Sequence, residues 1–82
     1  MAFDERRAAL AADLARLEDL ARQARDVATG LDARAEAAEG ETETFADDTA
    51  LARVRATAKR ARQDLGALAR TLRETRNVVT SD

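Results

Sequence analysis

The sequence predicts an all-α fold: an antiparallel two-helix coiled-coil hairpin with an alanine-rich seam. Apolar residues recur at alternating steps of three and four in two separate runs, which is the pattern of coiled-coil helices. The 82 residues contain no proline and are 45% apolar and 37% charged, a composition typical of long helices. The two runs also mirror each other about Glu41, as expected if the chain turns back there.

The first apolar run predicts helix 1 over residues 4–39. Its seam has Arg7 as the one polar member and contains Phe3, Leu10, Leu14, Leu17, Ala21, Ala24, Ala28, Leu31, Ala35 and Ala38. Gly30 lies on the outer face and costs about 1 kcal/mol relative to alanine. Helix 1 could therefore kink or end at Gly30, and the sequence leaves its continuity open.

An acidic turn is predicted over residues 40–44, in a segment that lacks a periodic apolar face. Gly40 suits the left-handed position just after a helix end. Thr44 followed by Asp47 resembles a capping box with a shorter acid. These signals predict that helix 2 begins at residue 45.

The second apolar run predicts helix 2 over residues 45–78. Its seam positions are Leu51, Val54, Ala58, Ala61, Leu65, Leu68, Leu72, Thr75 and Val79. Folding back about Glu41 brings leucines level with leucines and alanines with alanines. The predicted layers include Leu10 with Leu72, Leu14 with Leu68, Leu17 with Leu65, Ala21 with Ala61, Ala24 with Ala58, and Arg7 with Thr75. Paired alanines would let the helices approach to the short end of the usual spacing of about 8–10 Å.

One edge of this hairpin is predicted to be an oligomer interface, because a lone two-helix rod leaves half of each helix in water. The predicted interface residues are Leu20, Val27, Thr57, Thr71 and Val78, interrupted by the charged residues Arg6, Asp13, Arg34 and Asp64. The expected assembly is a dimeric four-helix bundle. Isolated exposed apolar residues are the alternative interpretation, since these are common on protein surfaces.

The other edge is predicted to be charged and solvated. Mirror pairing places Asp4 near Arg76 and Glu18 near Arg62. It also predicts two unfavourable pairs, Arg25 facing Arg55 and Asp32 facing Asp48.

Two charge clusters are candidate binding sites. A basic face on helix 2, which could contact nucleic-acid phosphates or other anions, consists of Arg53, Arg55, Lys59, Arg60 and Arg62. An acidic tip, which could attract a cation or a basic protein surface, consists of Glu36, Glu39, Glu41, Glu43, Asp47 and Asp48. No aromatic residue is interleaved with the basic face, and the tip lacks the spacing of a calcium loop. A solvated face and a solubilising turn are therefore the favoured interpretations.

Catalysis is not expected, because the chain has no histidine, cysteine or tyrosine and nothing in the pattern buries a carboxylate to raise its pKa. We predict no catalytic residue, no metal ligand set, no cofactor and no small-molecule ligand. No apolar run approaches the length of a membrane span, so a cytoplasmic location without membrane contact is expected. The sequence favours a non-enzymatic structural module that forms a homodimer, binds another protein, or both, with a nucleic-acid-binding hairpin as the alternative.

Overall fold

A computed structural model describes residues 2–81 and shows a helical hairpin. Helix α1 spans Phe3–Ala38, a single 3₁₀ turn spans Glu39–Glu41, and helix α2 spans Phe45–Thr80. The two long helices pack against each other along a rod of 63 × 16 × 14 Å. The prediction of an all-helical hairpin is confirmed.

Helix α1 runs without interruption through Gly30. No described glycine has a positive φ, so Gly30 keeps helical geometry and α1 does not end there. Asp4 and Glu5 lie in the first turn, where negative charge interacts favourably with the helix dipole.

The turn differs from the prediction at Gly40. This glycine lies inside the 3₁₀ turn and does not adopt the left-handed conformation. The reversal is made instead by extended residues, because Thr42 has φ −75° and ψ 140° and Thr44 has φ −127° and ψ 159°. The hydroxyl of Thr44 accepts a hydrogen bond from the backbone N–H of Asp47 at 3.1 Å, which confirms the predicted cap of α2.

Small side chains form the centre of the seam. The buried residues of the hairpin are Ala21, Ala28, Ala35, Ala58 and Leu72. Ala58 is only 1% exposed, which requires the opposite helix to pack directly over its methyl group. Alanine on both helices permits this close approach.

The predicted leucine layers are wrong at several seam positions. Leu10, Leu17, Leu31 and Leu68 are all exposed, so Leu10 does not close a layer with Leu72, nor Leu17 with Leu65. The structural reason is a rotation of both helices, which brings polar residues between them instead. The half-buried positions that take the place of these leucines between the helices are Ala11, Glu18, Asp32, Arg55, Arg62, Ala69 and Arg76.

The Arg7 and Thr75 layer is also replaced by local contacts. The guanidinium carbon of Arg7 lies 5.0 Å from the centroid of the Phe3 ring, a cation–π distance. The hydroxyl of Thr75 donates to the carbonyl oxygen of Thr71 at 2.9 Å. Arg7 stays half-buried at the seam, and its Nε has no hydrogen-bond partner within the described residues.

Candidate interaction surface

One long edge of the hairpin is held by ion pairs between the helices. Asp32 Oδ1 lies 3.2 Å from Arg55 Nε, and Asp32 Oδ2 lies 3.7 Å from Arg62 Nη1. Farther along, Glu18 Oε2 lies 2.9 Å from Arg76 Nε. We call this the charged edge and define it by Glu18, Asp32, Arg55, Arg62 and Arg76. Both carboxylates are sheltered, with side chains 16% and 15% exposed respectively.

Arg55 joins the charged edge to the acidic tip. Its guanidinium hydrogen-bonds to Glu39 and Asp32 and lies 4.0 Å from Glu36. The hydrogen bond with Glu39, followed by that with Asp32, raises the pKa of Arg55 above its ordinary value. Arg55 is therefore cationic throughout the ordinary pH range and ties the end of α1 to α2.

The predicted ion pairs across this edge are wrong. Glu18 pairs with Arg76 and Arg73 rather than with Arg62. Asp32 meets arginines rather than Asp48. The observed arginine partners lie 7 to 14 residues, or about two to four helical turns, beyond the mirror positions. Side chains lean towards the N-terminus of their own helix and arginine is long, but the lean is shorter than this distance, so the two helices are also shifted in register relative to a mirror about Glu41. Acids of α1 therefore reach arginines of α2 that lie farther from the turn.

The two remaining predicted pairs, Asp4 with Arg76 and Arg25 with Arg55, are also absent. Arg76 is taken by Glu18, and Asp4 instead approaches Arg7 at 4.0 Å on its own helix. Arg55 faces carboxylates rather than Arg25, which lies against Gly66. The two unfavourable pairs that mirror symmetry predicted do not form.

The opposite edge is apolar and exposed. Of the nine large apolar side chains that are exposed in the described residues, eight occupy this edge. We call it the apolar flank and define it by Phe3, Leu10, Leu17, Leu20, Val27 and Leu31 on α1 with Leu68 and Val78 on α2. The ninth, Phe45, lies beside the turn. Such concentration is not expected of randomly scattered surface residues.

The flank residues of both helices lie on the same side of the rod. On α1, Asp32 follows the buried Ala28 by four residues, whereas Leu17 precedes the buried Ala21 by four. On α2, Arg76 follows the buried Leu72 by four residues and Leu68 precedes it by four. The ion pairs connect the side of each helix on which a residue follows a buried seam residue by four. The sides on which a residue precedes a buried seam residue by four must therefore lie together on the other edge of the rod. The apolar side chains of both helices therefore lie along one edge of the rod, interrupted by Arg6, Asp13, Arg34 and Asp64.

The rod is long enough to carry an interface. One long face measures 63 by 16 Å, or about 1,000 Å² in projection, compared with about 800 Å² per partner in a standard stable complex. The size of the rod therefore permits a partner along one edge, and the chemistry of that edge is what distinguishes the apolar flank.

The structure places the residues predicted for the interface on this flank. Leu20, Val27 and Val78 are 49%, 66% and 74% exposed, and Thr57 and Thr71 are exposed beside them. Sequence reasoning missed Phe3, Leu10, Leu17, Leu31 and Leu68, because it assigned them to the seam. The charged residues Glu18, Asp32, Arg55, Arg62 and Arg76, spaced by sevens on one side, were the signal that the seam is rotated.

The basic face of α2 is divided by the fold. Arg55 and Arg62 belong to the charged edge and face carboxylates. Arg60 lies 3.6 Å from Asp64 on its own helix. Arg53 and Lys59 are exposed, and Lys59 lines an open cleft with Arg25, Arg62 and Gln63. The fold thus leaves a smaller basic area than the linear run suggested.

The acidic tip is likewise partly occupied by contacts within the chain. Glu36 and Glu39 approach Arg55, and the hydroxyl of Thr42 donates to the carboxylate of Asp48. The part of the chain that the structure describes contains no group of three acidic, histidine or cysteine side chains with metal-binding geometry. Among the same residues, neither helix is apolar enough over a sufficient length to cross a bilayer.

Comparison with known proteins gave no match: no protein-family model, curated protein or solved structure is significantly similar to this chain.

Proposed function

We propose that the chain is a non-enzymatic interaction module that self-associates through its apolar flank, two hairpins forming a four-helix bundle. The observation that supports this proposal most strongly is the concentration of eight of the nine exposed large apolar side chains on one edge. In the seam, by contrast, the buried side chains are mainly alanines. Most of the large apolar surface of the hairpin therefore lies outside its own seam.

A second hairpin is an occupant of suitable size and chemistry. Its flank has the same length and the same apolar character, so two flanks can cover each other, as in the isologous interface of a two-fold dimer. Small helical domains commonly gain their core in this way. The charged edge and the outer faces would stay in water, available to a further protein partner.

The proposal is tested by sedimentation equilibrium of the wild-type chain and the variant Leu20→Glu with Val27→Glu. Wild type should have twice the chain mass of 8.9 kDa, and the variant should have the chain mass, because four carboxylates per dimer would be buried in the interface. A matched control is Ala12→Glu with Ala33→Glu, which adds the same charge to exposed positions on the opposite face and should remain dimeric. A monomeric wild type, or a dimeric flank variant, would contradict the proposal.

A nucleic-acid-binding role has less support from the structure. Three of the five cations on which it depends lie within 4.0 Å of carboxylates of the same chain. Retention on a heparin column at low salt that disappears in high salt would favour this role. Flow-through at every salt concentration would count against it.

A further inference from the structure

Charged residues interrupt the apolar flank on α1. Arg6, Asp13 and Arg34 lie on the same seven-residue row as Leu20 and Val27. Within residues 2–81, none of the three forms an ion pair, as is also true of several charged residues outside the flank. Unpaired charges in a surface that becomes covered need a partner from the covering molecule.

Two of these residues, Asp13 and Arg34, are arranged symmetrically along α1. Asp13 precedes Leu20 by seven residues, and Arg34 follows Val27 by seven. A two-fold axis that passes α1 between Leu20 and Val27, close to Ala24, therefore exchanges Asp13 with Arg34 and Leu20 with Val27. The charges at exchanged positions are opposite in sign, and the apolar residues at exchanged positions are similar in size.

From this symmetry we infer how the second copy docks, an inference that rests on the proposed self-association. Helix α1 lies antiparallel on α1 of the partner, with the two turns at opposite ends of the bundle. Asp13 forms an ion pair with the partner's Arg34, and the symmetry repeats this pair at the other end. Arg6 then reaches the level of the partner's acidic turn. Electrostatic complementarity of this kind fixes orientation and register more than it adds affinity.

The alternative two-fold arrangement leaves Asp13 unpaired. With both turns at the same end, α1 would lie on α2 of the partner, whose flank row contains Ala50, Thr57, Asp64, Thr71 and Val78. Arg34 would then lie near the level of the partner's Asp47, whereas Asp13 would be covered by apolar and hydroxyl side chains without an opposite charge. Burying a charge in this way is costly, so the antiparallel arrangement of the α1 helices is favoured.

Asp64 is the charge in the middle of the α2 part of the flank, and Asp47 lies at its turn end on the row of Leu68. The carboxylate of Asp64 lies 3.6 Å from Arg60 Nε of the same helix. It therefore brings its own counter-charge and does not need one from the partner. Its presence does not select between the two arrangements.

The first test is a charge exchange, read as the dimer dissociation constant. We expect Asp13→Arg and Arg34→Asp, each alone, to weaken the dimer about tenfold or more, because each places like charges together at two symmetric sites. Both substitutions together should restore affinity to near the wild-type value. Circular dichroism serves as the control, since both residues are exposed and helix content should not change. Failure of the double variant to recover affinity would overturn the Asp13 to Arg34 pairing.

The second test measures orientation. The chain has no cysteine, so Glu43→Cys accepts a single nitroxide at the turn. Antiparallel α1 helices place the two labels roughly 55 Å apart at 1.5 Å per residue, and electron–electron dipolar spectroscopy should report that distance. If the two turns lay side by side, the helix spacing would place the labels within about 25 Å of each other. A dimer with that distance would contradict the antiparallel orientation but not the self-association. A monomer by mass would overturn both.

Discussion

The two long edges of this hairpin contrast in how completely the chain satisfies them. At the charged edge, the sheltered carboxylates of Glu18 and Asp32 pair with arginines on the opposite helix, although Nε of Arg62 and of Arg76 lacks a hydrogen-bond partner within the described residues. At the apolar flank, leucines such as Leu17 and Leu68 remain about half exposed. The comparison teaches that the sequence pairs the sheltered charges of one edge within the hairpin and leaves the large apolar side chains of the other edge uncovered.

The seam between the edges should give the largest effect. Leu72 is 9% exposed, whereas Leu68, one turn earlier on the same helix, is 47% exposed. We expect Leu72→Ala to lower the free energy of unfolding by about 2–4 kcal/mol, since it opens a cavity between the helices. Urea titrations at several protein concentrations measure this loss, which should be similar at each concentration.

Leu68→Ala is the matched comparison for Leu72→Ala. Its smaller loss should grow as protein concentration rises, because the side chain becomes buried only when a second copy covers the flank. Equal, concentration-independent losses for the two variants would remove the distinction between seam and flank.

A smaller effect is expected at the charged edge. Asp32→Asn removes the carboxylate that meets Arg55 and Arg62, and we expect a loss of about 1 kcal/mol after allowing for solvent screening at the partly exposed Arg62. The loss of stability should be smaller in 1 M NaCl, because the Debye length falls to about 3 Å and the salt screens the ion pairs of the wild-type chain. Thermal melts of both chains at low and high salt check this expectation.

Asp19→Asn is the control for Asp32→Asn. Asp19 pairs with Arg22 at 2.9 Å on one helix turn, and both side chains are more than half exposed. Its loss should be about 0.5 kcal/mol or less. If Asp19→Asn lowered stability as much as Asp32→Asn, an ion pair between the helices would contribute no more than one within a single helix.

The smallest effect is a gain of stability at Gly66. A Cβ added there would meet only the Arg25 side chain, at 3.8 Å from its guanidinium carbon, which is ordinary contact. We expect Gly66→Ala to raise stability by about 0.5–1 kcal/mol, because alanine has less backbone entropy to lose in a helix. A lower melting temperature would show that Arg25 packs more tightly on Gly66 than this distance indicates.

The fold was predictable because its signals are local. Apolar periodicity, the absence of proline and the Thr44 cap are each properties of a few neighbouring residues, and they specify two helices and a reversal. The conformation of Gly40 was not predictable on the same basis. A glycine at a helix end can adopt either the left-handed conformation or a 3₁₀ turn, and here the extended residues that follow complete the reversal.

The orientation of each helix about its axis was harder to predict. A seam of Leu10, Leu17 and Leu31 and a seam that includes Glu18 and Asp32 differ by only a partial rotation of α1. Apolar periodicity alone favours the first. The ion pairs of Asp32 and Glu18 with α2 favour the second, and these pairs depend on the reach of arginine side chains across the hairpin, which spacing along the sequence does not reveal.

The central claim, that a second copy covers the apolar flank, is tested most directly by thiol reactivity. Ala24→Cys lies in the middle of the flank on the row of Leu17 and Leu31, and Ala12→Cys lies on the outer face; both positions are exposed in the single hairpin. We expect the labelling rate of Cys at position 24 to fall as protein concentration rises, while the rate at position 12 stays constant. Equal rates at the two positions at every concentration would contradict the claim.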